Sequence, residues 1–374
     1  MKKFLIWATG IFAAVLLLVF GMMFFTFNKI DTNTVTDEEL RTSVSEDQIQ
    51  SDAMSAFSQL TEDEQKAYIR VVKELENKSD VFYLEGNTVT NDQLERIWKA
   101  VTQDHPEFFW IDTYEYTYRP DTGEVDKITI RYNMDTDDIE SAQARVDAWK
   151  TAALSGITDD MSSYEVARYL HDYIIDNTGY DTNAPNNQTI LSVADGASVC
   201  AGYARAYQYL LNEAGIFATT AQGTTVLNQS HAWNLVKIDD EYGWIDPTWD
   251  DPNYTDGTFG THDYTYFGIS TTDLNKTHTL DTSLTTYPDF AEPSWNYYVK
   301  EGLDFDLDQS GAFAKITQAI EDKAAAGEKT LTLRVASSDQ VDSLLNQLSY
   351  DSVSSSYNLT YVRNDYYPVI LFMF

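Results

Sequence analysis

The spacing of apolar residues changes several times along this chain, and each change predicts a different element. Residues 4–27 are almost uninterruptedly apolar behind Met1-Lys2-Lys3. A helix of that length, at about 1.5 Å per residue, spans a bilayer core of about 30 Å. The lysines hold the short flank in the cytoplasm and place the bulk of the chain outside. A cleaved signal peptide is the alternative, but Met22-Met23-Phe24-Phe25 is bulky where a small-residue cleavage site would have to lie. The expectation is an uncleaved single-pass anchor over residues 1–30, followed by a polar stalk over 31–50 rich in Asp, Glu, Thr and Ser.

Beyond the stalk the period becomes helical over residues 49–60, 62–75 and 91–101. It then alternates over 111–118 and 125–132, around Pro120-Asp121-Thr122-Gly123, which predicts a hairpin. A further helical pattern near 137–154 closes an α+β accessory domain, residues 51–155. Its aromatic run Phe108-Phe109-Trp110 is expected to be a packed joint. A central domain over 156–300 opens with a helix at 164–177, and a strand is expected at 216–223. Residues 301–374 form a small α+β unit, with helices at 313–325 and 340–348 and strands at 330–336, 357–362 and 367–374. Its last strand is too apolar for exposure and too short to span a membrane. The whole is an α+β protein.

The single cysteine opens a helix. Tyr203, Tyr207, Leu210, Leu211 and Ala214 recur at helical spacing, Gly215 stops the run, and Gly196 and Ser198 break the chain just before Cys200. A thiol in a first helical turn meets unpaired N–H groups and the positive end of the helix dipole, which favour a thiolate and an oxyanion. Downstream, two strand-like runs flank Asp239-Asp240. Folding the hairpin there sets Asp246 opposite Trp233, so His231 and Asp246 share a face about 7–8 Å apart at the backbone. Pro247 ends the pairing, which leaves Asp246 at a strand end.

The pattern Val199-Cys200-Ala201-Gly202-Tyr203-Ala204, then His231-Ala232-Trp233-Asn234, then Trp244-Ile245-Asp246-Pro247-Thr248-Trp249-Asp250-Asp251-Pro252 resembles the bacterial transglutaminase-like superfamily, whose catalytic core is similar to that of papain-type thiol proteases. The resemblance covers roughly residues 160–300. It implies Cys200 as nucleophile, His231 as base and Asp246 as the acid that orients the base. It leaves the substrate open, because cross-linking enzymes, peptidases and inactive relatives share the pattern.

Other residues are weaker candidates. Tyr180 either lines the cleft or assists the oxyanion, or its ring simply packs; Gln188 resembles the side-chain oxyanion donor of papain-like enzymes; Trp233 is core by its pattern, with an indole able to shield a thiolate. His171 is expected to be structural. Asp250, Asp251, Asp256 and Asp263 are expected to be a solvated acidic loop, since their spacing is not that of a calcium loop. His262 and His278 have no partner at ligand spacing. With five histidines and one cysteine there is no zinc signature, and there is no phosphate loop, so no metal or cofactor is expected.

Composition narrows the partners. The chain has 374 residues, of which 43% are hydrophobic and 14% aromatic, enough for a sizeable core. With 59 acidic against 25 basic side chains, the net charge of −34 excludes nucleic acid as a partner and suits a solubilising surface. One cysteine makes no internal disulfide. The expectation is a cell-surface thiol acyl enzyme acting on protein or peptide, including cell-wall peptide, by hydrolysis or amine cross-linking. The alternative is a non-catalytic envelope scaffold on the same frame.

Overall fold

The computed structural model describes residues 52–84, 89–251 and 262–374. The expected anchor and stalk lie outside the described residues, and no described helix is long and apolar enough to cross a membrane. The chain divides into two compact units, residues 1–139 and 140–374, with the division inside the helix Thr136–Leu154.

In the first unit, α1 (Glu62–Glu76) begins at a capping box in which Thr61 and Glu64 exchange hydrogen bonds. It buries Ala67, Tyr68, Val71, Val72 and Leu75. Strand β1 (Val81–Tyr83), helix α2 (Asn91–Asp104) and the hairpin of β2 (Ile111–Tyr118) and β3 (Val125–Tyr132) complete an antiparallel sheet of order β1-β3-β2 and its helical cover. The helix expected over 49–60 is a correction. Within its described part there is only a 3-10 turn, Phe57–Gln59. The Asp52 carbonyl accepts both the Ser55 and the Ser58 hydroxyls, each at 2.8 Å. Asp104 accepts the Ala56 and Phe57 N–H groups at 3.0 and 2.8 Å. Side-chain bonds of this kind compete with a helical ladder.

The second unit continues from α3 (Thr136–Leu154) into α4 (Ser163–Asn177), β4 (Gly179–Tyr180), the short α5 (Ile190–Ala194), β5 (Ala197–Ser198) and α6 (Cys200–Glu213). A five-stranded antiparallel sheet follows, built from β6 (Ala218–Thr225), β7 (Ser230–Ile238), β8 (Glu241–Ile245), β9 (Phe267–Ile269) and, after the turn of helix α7 (Thr271–Leu274), β10 (His278–Leu280). Its order is β10-β6-β7-β8-β9. Helix α6 lies against β6 and β7, with Tyr203, Ala206, Tyr207, Leu210 and Leu211 buried.

Polar ties fix the register of that packing. Gln208 Oε1 accepts the Thr220 N–H at 2.9 Å and its hydroxyl at 2.6 Å, and Asn234 Nδ2 donates to the Ala204 carbonyl at 2.8 Å. Asn212 closes the turn into β6 by accepting the Ala218 N–H at 2.9 Å. Such buried bonds add only about 1 kcal/mol each, but leaving one partner unpaired costs more, so they select one arrangement.

After α8 (Tyr297–Lys300) come β11 (Asp304–Phe305), α9 (Ala312–Ala325), β12 (Thr330–Val335), α10 (Ser338–Ser349), α11 (Ser352–Ser356), β13 (Thr360–Arg363) and β14 (Val369–Met373). They make a sheet of order β11-β12-β14-β13, with Val369, Ile370 and Phe372 of β14 buried. Just ahead of β14, the Tyr367 hydroxyl donates to the Asp273 carbonyl at 2.9 Å. The segment ahead of β14 thus reaches helix α7, which leads into β10.

Candidate active site

Three local features deliver the three side chains. The first is the hairpin. Asp239 and Asp240 both have positive φ, 50° and 65°, the backbone of a two-residue primed turn. Asn234 pairs with Ile245, so Asp246 falls one residue past the end of β8, opposite Trp233. His231 sits near the start of β7, paired with Gly223 of β6. The diagonal is closed by the side chains: His231 Nε2 lies 2.7 Å from Asp246 Oδ2.

The second feature is the turn after β8. Asp246 Oδ1 accepts the N–H groups of Thr248 and Trp249 at 3.0 and 3.2 Å. Asp246 is 1% exposed. The third is the start of α6. Val199 is extended, with φ −118° and ψ 178°, and Cys200 is the first helical residue. Val199 N–H donates to the Asn187 carbonyl at 3.0 Å, and the Ser198 hydroxyl donates to the same carbonyl at 2.8 Å. Gly202 is required here, because a Cβ would come within 1.9 Å of Ser198 Oγ. The Cys200 side chain is partly exposed and near enough to the His231 ring to favour its charged form. With Nε2 committed to Asp246, Nδ1 is the ring nitrogen left for the sulfur.

The electrostatics follow from burial against charge. Burial alone pushes His231 down, but the Asp246 carboxylate outweighs it and raises the pKa to about 10. Burial alone pushes Asp246 up, but the His231 charge outweighs it and holds the carboxyl well below its ordinary range. The pair is therefore ionised over the neutral range. Arg205 lies further along α6; burial lowers its pKa, and the charge on Cys200 opposes that.

The weaker candidates are placed as follows. Tyr180 pairs with Ser198 across β4 and β5, two residues before Cys200, and its ring lies 6.4 Å from that of Tyr203. Gln188 is exposed, and its carbonyl accepts the Arg205 guanidinium. Trp233 is fully buried, with its ring 6.0 Å from His231 and 4.7 Å from His278. Trp249 covers the same group, 5.4 Å from His231 and 4.6 Å from His278.

Two expectations need correction. His262 and His278 do have partners. His278 Nε2 lies 3.2 Å from Asp246 Oδ2, and His262 Nε2 lies 2.9 Å from Asp176 Oδ1. Strand pairing of β10 with β6 brings His278 in from 32 residues away, and no local spacing announces that. The acidic loop is also not solvated where it is described: Asp250 and Asp251 are buried. Asp250 accepts the Tyr266 N–H at 2.9 Å and faces His171 Nε2 at 3.3 Å; Asp251 accepts the Tyr203 hydroxyl at 2.9 Å. His171 itself is fully buried, with Nδ1 3.0 Å from Asp172 Oδ1.

The donor atoms of His231, Asp246 and His278 lie within 4.8 Å of one another, which is ligand spacing. Neighbouring ligands on a tetrahedral ion at about 2.1 Å stand about 3.4 Å apart. The 2.7 and 3.2 Å separations here are those of N–H···O hydrogen bonds.

Residues 150–247 match the family model described as the transglutaminase-like superfamily. The protein is thus mixed α+β with a transglutaminase-like core. Among solved structures it is similar to one described as a TGase, at 14% identity and a TM-score of 0.27, covering 38% of this chain and 45% of that one. It is also similar to a "putative cysteine protease" from Cytophaga hutchinsonii, at 16% identity and a TM-score of 0.24, covering 37% and 62%. The chain thus spans less than two thirds of the length of either neighbour. No curated protein matches.

Proposed function

We propose that this protein is a thiol acyl enzyme of transglutaminase-like type, with Cys200 as nucleophile, His231 as base and Asp246 as the group that orients and charges the base. The observation that carries this reading is the 2.7 Å bond between His231 Nε2 and Asp246 Oδ2, with Cys200 near enough to the same ring to favour its charged form. A buried acid, an imidazole and a partly exposed sulfur in line form the arrangement that nucleophilic catalysis needs. Sγ attacks a carboxamide or peptide carbonyl with its proton held on His231, which Asp246 keeps in the charged form. The N–H of Cys200, at the head of α6, helps hold the oxyanion. The C–N bond breaks, His231 returns the proton to the departing amine, and a thioester remains. Water or a second amine then attacks it, and the thiol is restored.

The substrate in this proposal is protein or peptide, with cell-wall peptide one candidate, and residues 1–30 anchor the enzyme to the membrane with the bulk outside. The test incubates the chain lacking those residues with surface proteins, a primary-amine tag and wall peptides, beside Cys200→Ala. Cysteine-dependent tag incorporation means transfer, and cysteine-dependent new termini mean hydrolysis. A wild type indistinguishable from Cys200→Ala in both assays leaves the scaffold reading and refutes the enzyme.

A further inference from the structure

Asp246 has one partner more than the proposed chemistry uses. Its Oδ1 takes two backbone donors, at 3.0 and 3.2 Å, while Oδ2 takes His231 Nε2 at 2.7 Å and His278 Nε2 at 3.2 Å. An ionised carboxylate only accepts, so both ring nitrogens carry protons. The second ring is itself aimed. Thr277 Oγ1 lies 2.8 Å from His278 Nδ1, which must then be the acceptor. That same oxygen is 3.2 Å from the Tyr367 hydroxyl, whose one proton goes either to it or to the Asp273 carbonyl at 2.9 Å. The tautomer of His278 is thus set from two sides, by the Asp246 carboxylate and by the Thr277 hydroxyl.

Packing alone does not call for an imidazole here. His278 is 2% exposed, enclosed by Trp233, Trp249 and Tyr266 at ring distances of 4.7, 4.6 and 5.5 Å. An apolar ring would fill that space without two polar atoms to satisfy. Nor does Asp246 need His278 to stay in place, because the two backbone donors on Oδ1 already hold it. What His278 contributes is a competing donor on the one oxygen that faces His231.

We propose that His278, aimed by Thr277, is a positioning residue of the Cys200 site: by sharing Asp246 Oδ2 with His231 it limits how tightly that carboxylate holds the base in its charged form. This rests on the thiol chemistry proposed above. A base bound too tightly as imidazolium is slow to return its proton to the leaving amine, so the shared acceptor keeps His231 able to act in both directions.

The titratable groups facing this cluster are Cys200 from α6, Tyr266 from ahead of β9, and Tyr367 and Asp250 behind them. Burial drives Tyr266 and Tyr367 above the ordinary phenol range, so neither adds charge. Burial raises Asp250 to about 8, against the opposing charge of His171.

The test is the rate of Cys200 alkylation by iodoacetamide as a function of pH, which needs no substrate. It is run on the full chain for wild type, His231→Ala, His278→Phe, His278→Gln and Thr277→Val, each with a melting curve. In His278→Phe the carboxylate serves His231 alone, so the alkaline limb, where imidazolium is lost, moves to higher pH by about half a unit to one unit. His278→Gln places an N–H where Nε2 stood and restores the wild-type profile to within about twofold in rate. Thr277→Val removes the hydroxyl on Nδ1 and shifts the limb in the same direction by less; it carries the test if His278→Phe does not fold. An unmoved limb in His278→Phe, or in Thr277→Val where that variant stands in, overturns the proposal. So does an equal shift in the Phe and Gln variants, which would be a packing effect. Alkylation of His231→Ala as fast as wild type overturns the thiol reading itself, whatever His278 does.

Discussion

Replacing Asp246 with Asn should disable the site more than the small change in shape suggests, because the surroundings dictate which way the amide lies. The Thr248 and Trp249 N–H groups point at Oδ1. An amide in that slot must present its oxygen to these two donors, which turns its NH2 toward the position of Oδ2. There it meets His231 Nε2, 2.7 Å away in the wild type. An N–H facing Nε2 makes that nitrogen the acceptor and moves the ring proton to Nδ1. His231 is then no longer held as imidazolium, and its neutral ring, donating at Nδ1 and accepting at Nε2, has no free nitrogen to hold the thiol proton. Wrong-tautomer substitutions of this kind lower turnover by about 10⁴ in the serine-protease triad; alkylation of Cys200 at neutral pH is expected to fall about 10–50-fold, to the rate of an ordinary thiol that is only a few per cent ionised.

Stability should change far less, and with a defined pH dependence. His231 has a folded pKa above its unfolded one, so its contribution is complete below the unfolded value of about 6.5 and fades as pH rises toward about 10. Asp246 is depressed, so its contribution is present above its unfolded value of about 3.9 and fades as the medium is acidified through the folded pKa. Both are fully in place between about pH 4 and 6.5. In Asp246→Asn that window flattens, with a loss of about 1–3 kcal/mol at its centre, which for a unit of this size lowers Tm by about 2–4 °C per kcal/mol. The assay pairs melting curves with alkylation across pH. An Asn variant that alkylates within about twofold of wild type, while folded, would refute the argument that the turn dictates the amide orientation.

Three further outcomes are expected. Gly202→Ala drives a methyl against Ser198 Oγ, 1.9 Å from where it would sit, so it should cost about 1–3 kcal/mol and slow alkylation by displacing Cys200, read by melting and labelling together. Gln208→Leu leaves the Thr220 N–H and hydroxyl without their acceptor behind α6 and should lower stability by about 2–3 kcal/mol in a denaturant titration, while alkylation of the folded fraction stays at the wild-type rate. In the first unit, Asp104→Ala strips the Ala56 and Phe57 N–H groups and the Tyr68 hydroxyl of their acceptor; it should cost about 2–4 kcal/mol, seen as earlier proteolysis near residue 57, with alkylation of Cys200 unchanged.

What was legible in the sequence was local. The hairpins flanking Pro120–Gly123 and Asp239-Asp240 follow from alternation interrupted by turn residues, and the position of Asp246 past a strand end follows from Pro247. Cys200 at a helix start follows from the Tyr203, Tyr207, Leu210 period. What was not legible came from pairings distant in the chain. His278 needed the β10–β6 register, and Tyr367 needed a segment 94 residues beyond its acceptor Asp273. The failed helix near residue 57 is capped by a side chain 47 residues further on, which no period within 49–60 encodes.

The acidic turn after β8 was misjudged for a related reason, and its true role explains the site's order. Four carboxylates in one loop suggest repulsion and solvent, but Asp250 and Asp251 are buried and answer to different neighbours, as does Asp246 at the head of the turn. Asp246 serves His231 of β7 and His278 of β10; Asp250 serves His171 of α4 and the Tyr266 N–H; Asp251 serves the Tyr203 hydroxyl on the cysteine helix itself. One six-residue turn therefore ties the helix that carries the nucleophile to the strand that carries the base. Burying acids is costly unless each is hydrogen-bonded and matched with a cation or an N–H. Here the three acids together are fully compensated only when α4, α6, β7 and β10 are all in place. A charge-rich sequence that reads as surface is, in this turn, the junction that makes three distant side chains assemble together.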